Sequence, residues 1–247
     1  MKKNANLNFN KGLKDGLPIG LGYLSVAFAF GVQASLLGIP VYISAIISMT
    51  NLTSAGQLAG ITVVAALGSV AEMFLIQAVI NSRYFLMSVS LSQKLDSSFT
   101  ETKRFLLSAF ITDEIFAVAS AQKGNLNTKY FFALAILPYC GWTLGTLLGA
   151  IAGNVLPVEI QSALGIALYA MFIAIIIPPS TKKISVLTVV ALSAGLSCVF
   201  YYVPALKNGV SQGIAVVICA LVSAVVAALV FPVKDESENE QGESANE

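Results

Sequence analysis

Residues Phe105–Ala121 read FLLSAFITDEIFAVASA. The run is apolar enough for a membrane helix, yet Asp113 and Glu114 stand side by side in its middle. A charge at bilayer depth costs at least about 2.5–3.5 kcal/mol on insertion scales, and it persists mostly where it faces a protein-lined or wet cavity and works there. The stretch therefore points to a transporter in preference to a passive membrane anchor.

Composition supports the same class. The chain has 247 residues, of which 56% are hydrophobic and 11% charged, with a mean hydropathy of +0.80. A soluble domain carries about 25% charged residues. Six of the thirteen acids (Asp235, Glu236, Glu238, Glu240, Glu243, Glu247) fall in the last thirteen residues, so the remainder is poorer still in charge. Repeated apolar runs near 20 residues predict an all-α, polytopic transmembrane bundle. Three regions follow: a basic cytoplasmic N-terminus over 1–16, a transmembrane domain over 17–233, and an acidic disordered tail over 234–247.

Several classes drop out. No basic patch is interleaved with aromatics, which argues against nucleic-acid binding. Cys140, Cys198 and Cys219 are scattered in apolar runs, without metal or disulfide spacing. Histidine is absent, so proton chemistry falls to carboxylates. No phosphate loop, HExxH or GxSxG is present, and neither an enzyme nor a bound cofactor is expected. Lys2, Lys3, Lys11 and Lys14 precede the apolar run Leu17–Leu37, which is too long for a signal-peptide core and reads as a first span with its N-terminus in the cytoplasm.

The hydrophobic pattern predicts eight segments, near 17–37, 41–66, 69–93, 103–122, 129–154, 159–179, 184–204 and 209–232. Breaks are marked by Gly38-Ile39-Pro40, Lys123-Gly124-Asn125, Pro178-Pro179 and Lys207-Asn208-Gly209. With eight crossings, Lys2, Lys3, Lys11, Lys14, Lys123, Lys129, Lys182, Lys183 and Lys234 lie inside, and Lys94, Lys103, Arg104 and Lys207 outside. The 94–104 loop is the misfit. Seven crossings, with 41–66 re-entrant, give a weaker bias. Gly22-Tyr23 to Gly31 also resembles Gly141-Trp142 to Gly149, either as an internal repeat or as generic small-residue packing.

Two regions are candidates for chemistry. Segment 41–66 has a polar centre that includes Asn51, Thr53, Ser54, Gly56 and Gln57, poor material for an unbroken helix. A break there would offer N–H groups to a carboxylate and carbonyls to an ammonium; the alternative is interhelical hydrogen bonding along an intact helix. Segment 69–93 carries Glu72, Asn81 and Arg83. Arg83 could pair with Asp113 or Glu114, or reach to an interface. Phe28, Phe30 and Phe116 are candidate contacts for an apolar side chain. Gly141, Gly145, Gly149 and Gly153 form a stripe suited to close helix contact.

The pieces Gly12-Leu13-Lys14-Asp15-Gly16-Leu17-Pro18, Gly22-Tyr23, Ser54-Ala55-Gly56-Gln57, Asn81-Ser82-Arg83-Tyr84, Thr112-Asp113-Glu114-Ile115-Phe116, Gly141-Trp142 with Gly145-Thr146, and Ala170-Met171-Phe172-Ile173-Ala174 occur in one order. In that pattern the chain resembles the AzlC family, the large subunit of branched-chain amino-acid exporters. The resemblance implies export of leucine, isoleucine, valine and methionine across the bacterial inner (plasma) membrane, and a small membrane partner of the AzlD type. Asn51–Gln57 with Phe116 would then bind substrate, and Arg83, Asp113, Glu114, Asn81 and Glu72 would form a charge relay or gate.

Overall fold

The computed structural model describes residues 7–232, so the acidic tail predicted over 234–247 lies outside the described residues. All regular structure in that range is helical. The chain divides into two units, one through Phe172 and one from Ile173.

The first unit is built on α1 (Phe9–Leu36) and α7 (Thr128–Gly153), which share the most extensive helix contact in the chain. Helix α1 begins eight residues before the predicted start at Leu17. Asn8 caps it by accepting from Lys11 N, and Gly12 and Gly16 already pack on α7. The two helices run parallel. Gly12 meets Tyr130, Gly16 meets Leu134, and Gly20 meets Gly141. Further along, Leu24 meets Gly145, Phe28 meets Gly149, and Ser35 meets Gly153. At each glycine from Gly12 to Gly149 in this series, a Cβ would collide with a backbone carbonyl of the other helix. Small residues let helix backbones approach this closely. Of the suspected repeat, Gly31 faces Gly149 across this interface, whereas Gly141 meets Gly20 and Gly22 has nothing within 4 Å.

Two predicted segments are each a pair of helices. Segment 41–66 breaks at its polar centre, one of the two readings the sequence offers, into α2 (Val41–Thr50) and α3 (Ala55–Ala65). Segment 103–122 is broken into α5 (Glu101–Ser108) and α6 (Asp113–Ala121). Both pairs double back. Helix α2 descends beside α7 until Leu52 packs with Ala27, Tyr23 and Trp142. Helix α3 then climbs again, since Leu58 and Ile61 pack with Phe30, Ala34 and Ile39. A straight continuation would have carried Ile61 toward the opposite end of α1. Similarly, α5 starts at the loop 93–100 and α6 returns to it, where Lys94 Nζ donates to the carbonyls of Ser120 and Gln122. The loop is pinned there by Asp96 N to Leu126 O at 2.9 Å and Leu126 N to Lys94 O at 2.7 Å.

Between the hairpins runs α4 (Val70–Ser92), antiparallel to α3, with Gly56 beside Gln77 and Asn81 and Gly60 beside Met73. Helix α1 with its hairpin and α4 with its hairpin repeat one motif in opposite senses. The main hydrophobic cluster (Leu91, Phe99, Leu107, Ile115, Leu126, Tyr130, Phe131, Leu134) packs the α5/α6 hairpin against α4 and α7.

Helix α8 (Val158–Lys182) leads into the second unit. The break predicted at Pro178-Pro179 does not form, because both prolines lie inside α8. Prolines remove backbone donors, and nearby Ser180 Oγ donates to Ile176 O at 2.8 Å. In this unit α9 (Ile184–Tyr202) and α11 (Gln212–Val230) pack as an antiparallel pair through the short α10 (Pro204–Gly209), with Ser193 Oγ to Ser223 Oγ at 2.8 Å.

Among the described residues five helices are long and apolar enough to cross a membrane: α1, α4, α7, α9 and α11. The count of seven or eight is therefore not confirmed: two of the predicted segments are pairs of half-length helices, and α8, at the predicted 159–179 segment, is not among the five. Gly149→Ala is expected to destabilise the protein by roughly 1–3 kcal/mol or more through overpacking. Gly22→Ala, where nothing lies within 4 Å, should be near neutral. Thermal unfolding in detergent distinguishes the two.

Candidate functional site

The tips of the two hairpins meet at one level, around Tyr23 and Trp142, whose rings are in edge contact at 5.2 Å. The α2/α3 tip is Asn51–Ser54 and the α5/α6 tip is Ala109–Thr112. Each tip opens a helix N-terminus toward this level. Thr112 caps α6 by accepting from Ile115 N, while Ser54 enters α3 at φ 39°. Positive φ at a non-glycine residue is a strained conformation that clusters at ligand clamps and switches.

A buried chain of neutral hydrogen bonds fixes the first tip. Trp142 Nε1 donates to Gln57 Oε1 at 2.8 Å, Gln57 Nε2 donates to Ser48 Oγ at 2.9 Å, and Ser48 Oγ lies 2.7 Å from Thr146 Oγ1. Gln57, Ser48 and Thr146 are buried. Both ends of the Gln57 amide are thus used within the fold, although its sequence position suggested a substrate contact.

Charge holds the second tip. Arg83 Nη1 lies 2.9 Å from Asp113 Oδ2, one of the two pairings the sequence suggests for Arg83. Tyr23 Oη donates to the Glu114 carboxylate and lies 2.7 Å from Thr112 Oγ1. Adjacent residues on a helix diverge by about 100°, so Asp113 reaches α4 while Glu114 reaches α1. The guanidinium also lies over the Tyr84 ring, 5.0 Å from its centroid. Phe110 meets Tyr139 in edge contact at 5.2 Å.

A third cluster bridges the first tip to α4. Gln77 Nε2 donates to Gly56 O at 2.8 Å, and Asn81 Nδ2 donates to Gln77 Oε1 at 2.8 Å. Thr53 Oγ1, Asn81 Oδ1 and Arg83 Nε are buried without a hydrogen-bond partner.

Of the residues predicted as a gate, Arg83, Asp113 and Glu114 come together, and Asn81 sits on the same helix facing the first tip. Glu72 does not join them. It lies in the first turn of α4 beside Gly68, about 16 Å along the axis from Arg83. Phe116 packs into the hydrophobic cluster below the tip, away from the polar level. Sequence reasoning missed Tyr23 and Trp142 as site residues and Thr146 as a tip support, and it marked Ser48 and Gln77 only as polar members of their segments. The signal was present in Gly22-Tyr23 and Gly141-Trp142, two Gly-aromatic pairs whose rings meet across the α1/α7 interface. No group of acidic, histidine or cysteine side chains able to hold a metal ion occurs among the described residues.

Apolar helices flanking two opposed broken hairpins with polar tips define a polytopic membrane protein of transporter type. The chain matches the family model described as AzlC protein over residues 18–156, which spans α1 to the turn after α7, and it belongs to the AzlC family. It is 29% identical over 201 residues to the inner membrane protein YgaZ of Escherichia coli (strain K12), covering 78% of this chain and 82% of the relative. It is 34% identical over 174 residues to an uncharacterized membrane protein of Archaeoglobus fulgidus, covering 69% and 75%. No solved structure matches the chain.

Replacing Gln57 by Leu leaves the Trp142 indole and the Ser48 hydroxyl without their partner. A loss of about 1–3 kcal/mol is expected, and thermal unfolding measures it. Because Trp142 is the only tryptophan, a shift in its emission should accompany that loss.

Proposed function

We propose that this chain is the larger subunit of a secondary exporter for branched-chain and other apolar amino acids (leucine, isoleucine, valine and methionine). It works in the bacterial inner membrane with a small AzlD-type membrane subunit. Export is coupled to protons, with Asp113 and Glu114 as the carboxylates of the gate. The substrate class and the partner rest on membership of the AzlC family.

The main support for a carrier is the pair of hairpins entering from opposite ends and meeting at one polar level. Helices α2 and α3 are about 15–16 Å long, and α5 and α6 about 12–14 Å, each near half of a hydrocarbon core of about 30 Å. Discontinuous helices in oppositely oriented repeats, with a site at mid-depth, are the architecture of alternating access. Helices α1, α4 and α7 then cross the membrane, and both hairpins are re-entrant. Parallel α1 and α7 demand an odd number of crossings between them, which α4 alone supplies. Had only 41–66 been re-entrant, with 103–122 crossing, α7 would oppose α1.

Charge supports the same topology. Lys11, Lys14, Lys94, Lys103, Arg104, Lys123 and Lys129 all fall at the α1 N-terminal end, which is the cytoplasmic side. The opposite turns, 37–40, 66–69 and 154–157, carry no Lys or Arg. The 94–104 misfit of the eight-crossing count disappears.

In a cysteine-free background, a cysteine at Lys103 should resist a membrane-impermeant maleimide added to intact cells, while one at Leu67 should react. Labelling of both from outside would overturn the two-hairpin topology. For transport, cells lacking their own exporters are loaded with a leucine-containing dipeptide. Faster leucine efflux is expected when this chain and its small partner are expressed together, and Asp113→Asn and Glu114→Gln should each cut that efflux without lowering the amount of folded protein. If the substitutions lower only the amount of folded protein, the acids are structural and the chain is a stabilising subunit.

A further inference from the structure

Neutral oxygens converge beside the first tip, on the open face of Gly56. The position that a Cβ would take there is 2.5 Å from Thr53 Oγ1, 2.9 Å from Gln77 Oε1 and 3.0 Å from Asn81 Oδ1. Their orientation is fixed. Gly56 O can only accept, so Gln77 must turn Nε2 toward it and Oε1 away. Gln77 Oε1 then takes the Asn81 amide donor, which leaves Asn81 Oδ1 as the unpartnered end of the relay. Asn81 Oδ1 and Thr53 Oγ1 are both buried with no partner. A buried unsatisfied polar atom costs about 1–3 kcal/mol, so two at one point call for a donor from outside the chain.

We infer that Thr53, Gln77 and Asn81 form a receptor for a primary ammonium group, the amino end of the transported substrate. This deepens the exporter proposal and rests on it. A –NH3+ group brings three donors and no acceptor, matching three acceptors. The cradle holds no carboxylate, so the positive charge must travel with its own counter-charge, as it does in a zwitterionic amino acid. That counter-charge has a place close by, because the first turn of α3 starts at Ala55, between Thr53 and Gly56, and helix N-termini favour carboxylates. The lack of a side chain at Gly56 keeps this face clear. Any Cβ there would occupy the face on which the three oxygens converge.

The test uses the purified full chain in detergent and the emission of Trp142, which is bonded to Gln57, the residue after Gly56. The probes are leucine, 3-methylbutylamine (leucine without its carboxylate), 4-methylpentanoate (leucine without its amine), and sodium chloride against choline chloride. Leucine should give a saturable change, the amine should compete with it, and the acid should not. Thr53→Val should weaken leucine and the amine by about tenfold, the value of one charge-assisted hydrogen bond, and Thr53→Ser should restore them. Unfolding temperature without ligand should not fall in Thr53→Val, because the lost hydroxyl had no partner. The receptor is overturned if the acid competes as well as the amine, if Thr53→Val binds as wild type, or if neither leucine nor the amine binds. It is also overturned if sodium alone gives a saturable signal that Thr53→Val abolishes, which would make the cradle an inorganic cation site. If the amine binds through Thr53 while leucine does not, the receptor stands and the amino-acid exporter reading falls.

Discussion

Everything in the first unit hangs on the backbone contact between α1 and α7. In a bilayer, helices gain little from hiding apolar side chains from lipid, so close packing of small residues must hold them. Here the glycines alternate between partners: Gly12, Gly16 and Gly20 on α1 receive α7, and Gly141, Gly145 and Gly149 on α7 receive α1. No side chain separates the two backbones at these points. The resulting rigid pair brings Tyr23 and Trp142 into edge contact, and each ring then supports one hairpin tip.

The hairpins follow from a backbone constraint. An irregular turn at membrane depth survives only where protein or a wet cavity surrounds it. The α2/α3 turn meets that demand with Leu52 packed on Ala27 and Trp142, and with the buried Gln57–Ser48–Thr146 chain beside it. The α5/α6 turn meets it with Thr112 capping α6, Tyr23 covering Thr112, and Phe110 against Tyr139. Charged residues are placed at this level because the turn already needs polar partners there.

Much of this was legible in the sequence, and the remainder was not for identifiable reasons. The polar run around Asn51–Gln57 announces a break because Asn, Thr, Ser and Gly all compete with helical hydrogen bonding. The break before Asp113 was hidden by the apolar Ala109-Phe110-Ile111. The available cue was Thr112 followed by two acids, a helix start in the middle of an apolar run. The long helices and the glycine stripe follow from period and residue size. That each broken pair doubles back depends on contacts far apart in sequence, such as Lys94 with Ser120 and Ile61 with Phe30. Local pattern cannot carry such contacts, and their one trace was the misplaced charge of the 94–104 loop. That Gln57 bonds Trp142 and Ser48 was not legible, because composition marks a polar residue without saying whether its bonds are already used.

The two tips are not equivalent, and the difference lies in what holds them. The first is fixed by neutral hydrogen bonds among buried groups, where every partner lost leaves an unsatisfied atom and the network resists opening. The second is held by charged groups, Arg83 with Asp113 and Tyr23 with Glu114, so its hold depends on the ionisation of two carboxylates. A motion that exchanges access to the polar level can therefore be triggered at the α5/α6 tip, while the α2/α3 tip keeps Thr53 and Gly56 in register with α4. Protonation of either carboxylate weakens only the second tip, which makes the acid pair the place where a proton could be felt without disturbing the cradle beside Gly56.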